Sequence, residues 1–203
     1  MAKEFVLNNK IGTKKFGFDK IYTVKYKPNL TAEKIEKDKI KAVIIEAGDI
    51  DEARKMIDKL YALTKGAFLI IVKGGDDDFN RKILENNKVN ILLSPESEHK
   101  AKPLKQRDSG LNQVLCRIAR ENNIIIAINI QEITERKGKQ KSELLSKIKQ
   151  NIKLCVKAKT KIILTTLAEK ESELRDIYDL KSLARSLGMP TYMAKEAVEK
   201  SFL

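Results

Sequence analysis

The chain has 203 residues and carries 41 Lys and Arg against 28 Asp and Glu, a formal net charge of +13 at neutral pH. That length allows one domain with a substantial core, and so large a positive charge points to a polyanionic partner, nucleic acid before an anionic membrane surface. No apolar run approaches the roughly 20 residues of a bilayer-spanning helix, and the opening Met1-Ala2-Lys3-Glu4-Phe5 has no apolar signal segment, so a cytoplasmic location without membrane contact is expected.

Short β-branched runs alternate with longer amphipathic stretches. Phe5-Val6-Leu7 is a weak first strand. Residues 8–39 are highly charged and show only a short strand at Ile21-Tyr22-Thr23-Val24. A clear strand covers 42–45, with a helix over 50–63. The strand at 67–72 ends at Gly74-Gly75, and a helix follows over 76–86. Next come a strand at 89–93, a long helix over 109–121, a strand at 124–128 and a helix over 143–157. The last strand, 161–165, precedes a helix over 177–187 that stops at Gly188, with Pro190 just beyond. A final helical stretch covers 194–200. The strands are apolar throughout, the pattern of parallel strands covered on both faces by helices. Repeated βα units of this kind form an open doubly wound sheet or a closed barrel. Neither a linker nor a low-complexity segment interrupts them, so residues 1–203 read as one domain.

Cys116 and Cys155 sit inside helical apolar patterns and read as core residues. With no Cys-x-x-Cys pair, a cysteine-built zinc or iron–sulfur centre is not expected. The single histidine, His99, stands in a polar loop, and Asp76-Asp77-Asp78 reads as a helix start where carboxylates favour the dipole. A metal-dependent phosphoesterase would need several fixed His and carboxylate ligands. The P-loop, Gly-x-Gly-x-x-Gly and Gly-x-Ser-x-Gly patterns are all missing from the sequence.

Two helix starts carry more polar chemistry than capping needs. In Gln106-Arg107-Asp108-Ser109-Gly110-Leu111-Asn112, Asp108 is placed as an N-cap, while Arg107 would add a guanidinium fork to free N–H groups, a combination suited to phosphate. In Leu174-Arg175-Asp176-Ile177-Tyr178-Asp179, Asp176 is a cap, and Arg175 either pairs with Asp179 or contacts phosphate. Lys100, Lys102, Lys105 and Arg107 lie in one strand-to-helix connection, and Arg136, Lys137, Lys139 and Lys141 in another. In a parallel βα fold such connections emerge at one end of the sheet, so these cations and Arg175 are expected to share a face.

At these residues the sequence resembles the family of archaeal ribonuclease P protein component 3, the counterpart of the thirty-kilodalton subunit of the eukaryotic enzyme. The resemblance rests on Leu93-Ser94-Pro95, on Arg107-Asp108-Ser109-Gly110-Leu111-Asn112 with the run 114–119 and Asn122-Asn123, and on a second block of Ile162-Ile163-Leu164-Thr165-Thr166, Arg175, Asp179-Leu180 and Leu187-Gly188-Met189. The two blocks cover about half of the chain; Gln106, Gln113 and Ile177 depart from the family pattern of a second basic residue, His and Pro. The resemblance implies an α/β, TIM-barrel-like (βα) barrel of parallel strands related to the polymerase-and-histidinol-phosphatase fold. It implies no catalytic group and no cofactor in this chain, with magnesium held by the RNA. Its implied partners are the RNase P RNA, a small RRM-like protein subunit and other RNase P proteins, with precursor tRNA met indirectly. The expected RNA contacts are Arg107 and Arg175, with Lys102, Lys105, Arg136, Lys137, Lys139 and Lys141 as diffuse attraction. Ser94, Pro95, Asp108, Ser109, Gly110, Asn112, Asp179 and Gly188 are expected to be structural. The competing readings are a phosphoesterase on a related barrel and another tRNA- or rRNA-binding module.

Overall fold

Seven parallel strands pair in strict chain order: β1 (Ala2–Val6), β2 (Phe18–Lys25), β3 (Ala42–Ile45), β4 (Leu69–Lys73), β5 (Ile91–Leu93), β6 (Ile125–Asn129) and β7 (Ile162–Thr165). The computed structural model describes residues 2–97 and 108–199. The helices are α1 (Ala32–Lys37), α2 (Ile50–Thr64), α3 (Asp77–Leu84), α4 (Gln113–Glu121), α5 (Ile130–Glu135), α6 (Gly138–Ala158), α7 (Ile177–Ser186) and α8 (Thr191–Glu199). Short 3-10 turns stand at Lys14–Phe16 and Glu171–Glu173.

The strands curl into a βα-barrel, as expected. Register puts Phe5 beside Ile21, Ile44 beside Ile71, Ile91 beside Ile125, and Ala127 beside Ile163. These residues form the inner core. The small side chains Ala42 and Ala127 leave room for bulky neighbours in it, so the lumen is filled rather than open. The alternate residues, including Val43, Ile45, Leu92, Ile126 and Leu164, face outward into a larger core beneath the helices. Both faces are therefore apolar, which explains the unbroken hydrophobic runs.

Seven strands leave a seam between β7 and β1. Among the described residues the backbone closes it only at its upper end, where Val6 bridges Ala168 and the Leu7 N–H donates to the Ala168 carbonyl at 2.9 Å. Below, the Glu4 carboxylate substitutes for the missing ladder. Its Oε1 accepts from Thr165 Oγ1 at 2.8 Å, the Thr166 N–H at 2.7 Å and Thr166 Oγ1 at 2.9 Å. Glu4 is fully buried, and burial pushes its pKa up to about 7 against the pull of these hydrogen bonds. Helix α8 packs over the seam onto β7 and β1.

Several helix boundaries differ from the sequence reading. Asp108 does not cap the long helix: Asn112 does, accepting from the Leu115 N–H at 3.0 Å, and α4 begins at Gln113. Ser109 lies outside that helix as well, buried with its hydroxyl on the Leu111 carbonyl. Helix α6 starts at Gly138, not 143, so Lys139 and Lys141 ride on its first turn instead of a loop. Asp176 caps α7 as anticipated, and Asp76, read as part of a helix start, is the cap of α3. Gly188 ends α7 at φ +103°, a conformation open to glycine, and its N–H donates to the Arg185 carbonyl. Residues 8–39, where pattern shows only the short strand at 21–24, contain a full eight-residue β2 around it and the one-and-a-half-turn α1. Among the described residues, no helix is long and apolar enough to cross a membrane.

Candidate nucleic-acid interface

The C-terminal ends of the strands open into a cleft of about 400 Å³ whose rim carries Lys25, Lys73 and Arg136, together with Glu46, Glu132, Glu135, Glu169 and Glu173. Carboxylates thus outnumber cations in the described part of the mouth. Several are engaged in structure. Glu46 pairs with Lys25 at 3.5 Å, Glu132 pairs with Arg136 at 3.5 Å, and Glu173 accepts the Glu169 and Lys170 N–H groups. Among the described residues, no three His, Cys, Asp or Glu gather to hold a metal.

Beside the mouth stands a buried polar frame built from the family-like motif. Ser94 follows β5 at φ +47°, and a tight turn brings the Ser97 N–H onto the Ser94 carbonyl at 3.0 Å. Pro95 packs against Gly74 so closely that a Cβ there would lie 2.5 Å from the Pro95 Cα, which leaves glycine as the residue that fits. Asn80 on α3 donates to the Gly75 and Gly110 carbonyls, both at 2.9 Å. Asn151 on α6 donates from one amide nitrogen to Glu96 Oε2 at 3.1 Å and to the Ser109 carbonyl at 2.8 Å. One side chain therefore ties together the two ends of the connection that enters at Ser97 and returns at Asp108. Asp108 itself accepts from the Gly110 N–H at 3.0 Å, shaping the return turn. Above the frame, Ser97 Oγ donates to Glu132, and Arg136 reaches the Ser97 carbonyl at 3.4 Å.

Glu96 is buried, and desolvation raises its pKa to about 7, with the nearby Glu132 charge adding to the rise and Asn151 and Arg136 opposing it. A carboxyl whose pKa goes from 4.5 to about 7 on folding binds more protons in the native state between those values. Its stabilisation is complete below pH 4.5 and is lost as pH rises through about 7. Glu4 has the same sign and window. Each group is expected to remove up to about 3 kcal/mol between pH 4.5 and 8. Denaturant titrations at several pH values should show a flatter profile for the Glu4→Gln/Glu96→Gln double variant than for the wild type; parallel profiles would refute the assignment.

The other expected contacts fall as follows. Lys102, Lys105, Arg107, Lys100 and His99 lie outside the described residues. Arg136 is at the rim with 32% of its side chain exposed. Lys137 is exposed at the head of α6, and Lys139 is 3.9 Å from Glu143. Arg175 does not pair with Asp179; its guanidinium donates to the Ser172 and Leu174 carbonyls at 2.9 and 2.8 Å, and Asp179 is exposed on α7. The sequence reading missed Glu96, Asn151, Glu4 and Asn80. Cys116 and Cys155 are buried between α4 and α6 as expected, with their sulfurs 3.9 Å apart.

Comparisons with known proteins agree with this architecture. Ribonuclease P protein component 3 of Methanocaldococcus jannaschii is 27% identical over 152 residues, 75% of this chain and 62% of that protein. Its namesake in Methanosarcina acetivorans is 34% identical over 130 residues, 64% of this chain and 51% of that protein. The chain thus spans between half and two thirds of the length of these curated relatives. A chain in a cryo-EM structure of archaeal ribonuclease P with mature tRNA has the same fold, with a TM-score of 0.77, 23% identity, and 96% of this chain and 86% of that chain covered. The model of the RNase P subunit p30 family matches residues 6–202, nearly the whole sequence, and the chain belongs to that family.

Proposed function

We propose that this chain is a protein subunit of ribonuclease P that binds the catalytic RNA and supports removal of the 5′ leader from precursor tRNA. The observation that carries the reading is the family match over residues 6–202. It is supported by the use the fold makes of the family-like motif: Ser94, Pro95, Ser109 and Gly110 build a rigid frame whose outgoing connection carries Lys102, Lys105 and Arg107. In this reading cleavage belongs to the RNA and its magnesium ions. The protein neutralises closely packed phosphates, releases counterions and favours the compact RNA. The small RRM-like subunit and other RNase P proteins complete the particle, and precursor tRNA is met through it.

The roles of the arginines divide. Arg107 is the primary phosphate contact. Arg136 and Arg175 are weaker contacts, since Glu132 and the Ser97 carbonyl engage the first and two carbonyls occupy the guanidinium of the second. The test is cleavage of a precursor tRNA by the cognate RNA at limiting magnesium, with the other protein subunits present and this chain added or omitted. Addition should stimulate cleavage. Arg107→Ala should reduce RNA affinity about three- to tenfold and shift the melting temperature by no more than a few degrees, and Arg136→Ala should reduce affinity less. No stimulation, combined with phosphoester turnover by the chain alone with added metal, would favour the enzyme reading instead.

A further inference from the structure

A dense run of positive charge lies on the outside of the barrel, along α6, away from the mouth. Helix α6 carries Lys139, Lys141, Lys147, Lys149, Lys153 and Lys157 against one acid, Glu143. By contrast, α2 carries Asp51, Glu52 and Asp58 against Arg54, Lys55 and Lys59. Between Glu143 and Glu169 the chain has no acidic residue.

The spacing orders this charge. Lys149, Lys153 and Lys157 recur every fourth residue and are all exposed, opposite the buried Leu144, Ile148, Ile152 and Cys155. Among the described residues none of the three forms an ion pair. Like charges four apart on a helix repel, so the row opposes the helix that carries it and is relieved only by an external anion. The neighbouring α4 adds exposed Arg117 and Arg120. The Arg120 guanidinium donates to the Ala158 carbonyl at 3.2 Å, which fixes the ends of α4 and α6 side by side.

We propose that the α4–α6 flank is a second RNA-binding surface, separate from the barrel mouth, that grips the phosphate backbone of an RNA helix through Lys149, Lys153, Lys157 and Arg117. The proposal rests on the reading of this chain as an RNA-binding subunit. The row is about 12 Å long, enough to follow several consecutive phosphates of one strand. The outward face of α6 offers Ser142, Ser146 and Gln150 between the lysines and no large exposed apolar side chain, and α4 adds a single one, Val114, a turn before Arg117. A protein-docking face is expected to present aromatic or aliphatic anchors there. Backbone recognition needs none, and it is indifferent to base sequence.

The test uses the full chain, the cognate RNase P RNA as probe, and binding isotherms at several salt concentrations. The variant Lys149→Gln/Lys153→Gln/Lys157→Gln is compared with Lys37→Gln/Lys55→Gln/Lys82→Gln, which removes equal charge from exposed positions on α1, α2 and α3. Glutamine keeps helix propensity, and removal of the repulsion should leave the α6 variant melting at or above the wild type. The α6 variant should lose tenfold or more in affinity, and its log–log salt slope should shrink by about 2 to 3; the control should change less than threefold. Equal losses in both variants would mean general charge and no site. Wild-type RNA affinity in the α6 variant would overturn the proposal alone, and loss of co-assembly with the other protein subunits in that case would assign the flank to a protein. Failure of the wild type itself to bind RNA would overturn this proposal and the subunit reading together.

Discussion

Glu4→Ala is expected to lower the melting temperature by about 6–12 °C. The change strands three donors at the seam, Thr165 Oγ1 and the N–H and Oγ1 of Thr166, in a site closed to water. At about 1 kcal/mol or more for each unpaired donor, the loss is about 3 kcal/mol. A domain of this size shifts by about 2–4 °C per kcal/mol. Glu4→Gln separates the hydrogen bonds from the charge. It retains the Oε1 acceptor and cannot ionise, so it should melt near the wild type at pH 7 and above it at pH 8.5, where the wild-type carboxylate has lost its proton. Thermal melts of the three proteins at both pH values decide the matter. A Glu4→Ala protein melting within 2 °C of the wild type, on the scale of about 2–4 °C per kcal/mol, would mean that α8 and the Val6–Ala168 bridge hold the seam without the carboxylate.

The sequence announced β3 to β7 because both of their faces are buried, and each reads as an unbroken β-branched run such as Ala42–Ile45 or Ile162–Thr165. The same physics left only residues 21–24 of β2 legible. This strand lies next to the seam strand, its outward Tyr22 and Val24 are only half-covered, and Asp19, Lys20 and Lys25 interrupt its apolar residues. Pattern alone could not choose between Asp108 and Asn112 as the cap of α4, because both are good acceptors before the same apolar stripe. Tertiary bonds decided it. Asn80 and Asn151 hold the carbonyls of Gly110 and Ser109 in a turn where Gly110 stands at φ +76°, outside the helical region. The early start of α6 had no visible signal, since Gly138 is a weak helix former and Lys137 offers no side-chain cap.

The candidate site was legible as a set of cations and a motif, but not as a geometry. Counting basic residues by connection placed them all at the strand ends, yet the described mouth is rich in glutamate and the unpaired lysines run down α6. Once α6 is extended back to Gly138, Lys139 falls in phase with Lys149, Lys153 and Lys157 on the outer face. The polar frame joins residues as far apart as Glu96 and Asn151. One clue to it was available: Asn151 occupies a position of the buried stripe, between Ile148 and Ile152, where an amide needs partners from elsewhere in the fold.

Asn151→Leu preserves the approximate volume but deprives Glu96 Oε2 and the Ser109 carbonyl of their donor. Two buried acceptors left unpaired cost about 2–4 kcal/mol, with the carboxyl carrying the larger part, and the melting temperature should fall by about 5–15 °C. RNA affinity should fall as well, although Asn151 is fully buried and cannot touch RNA. The amide sets the distance between the ends of the connection that carries Lys102, Lys105 and Arg107, so its loss should act through those residues. A double-mutant cycle isolates that route. In an Arg107→Ala background, Asn151→Leu should cost little further RNA affinity, whereas its effect on melting should be undiminished. If the affinity loss is instead the same in both backgrounds, Asn151 acts on RNA binding through the general stability of the barrel, and the frame does not position Arg107.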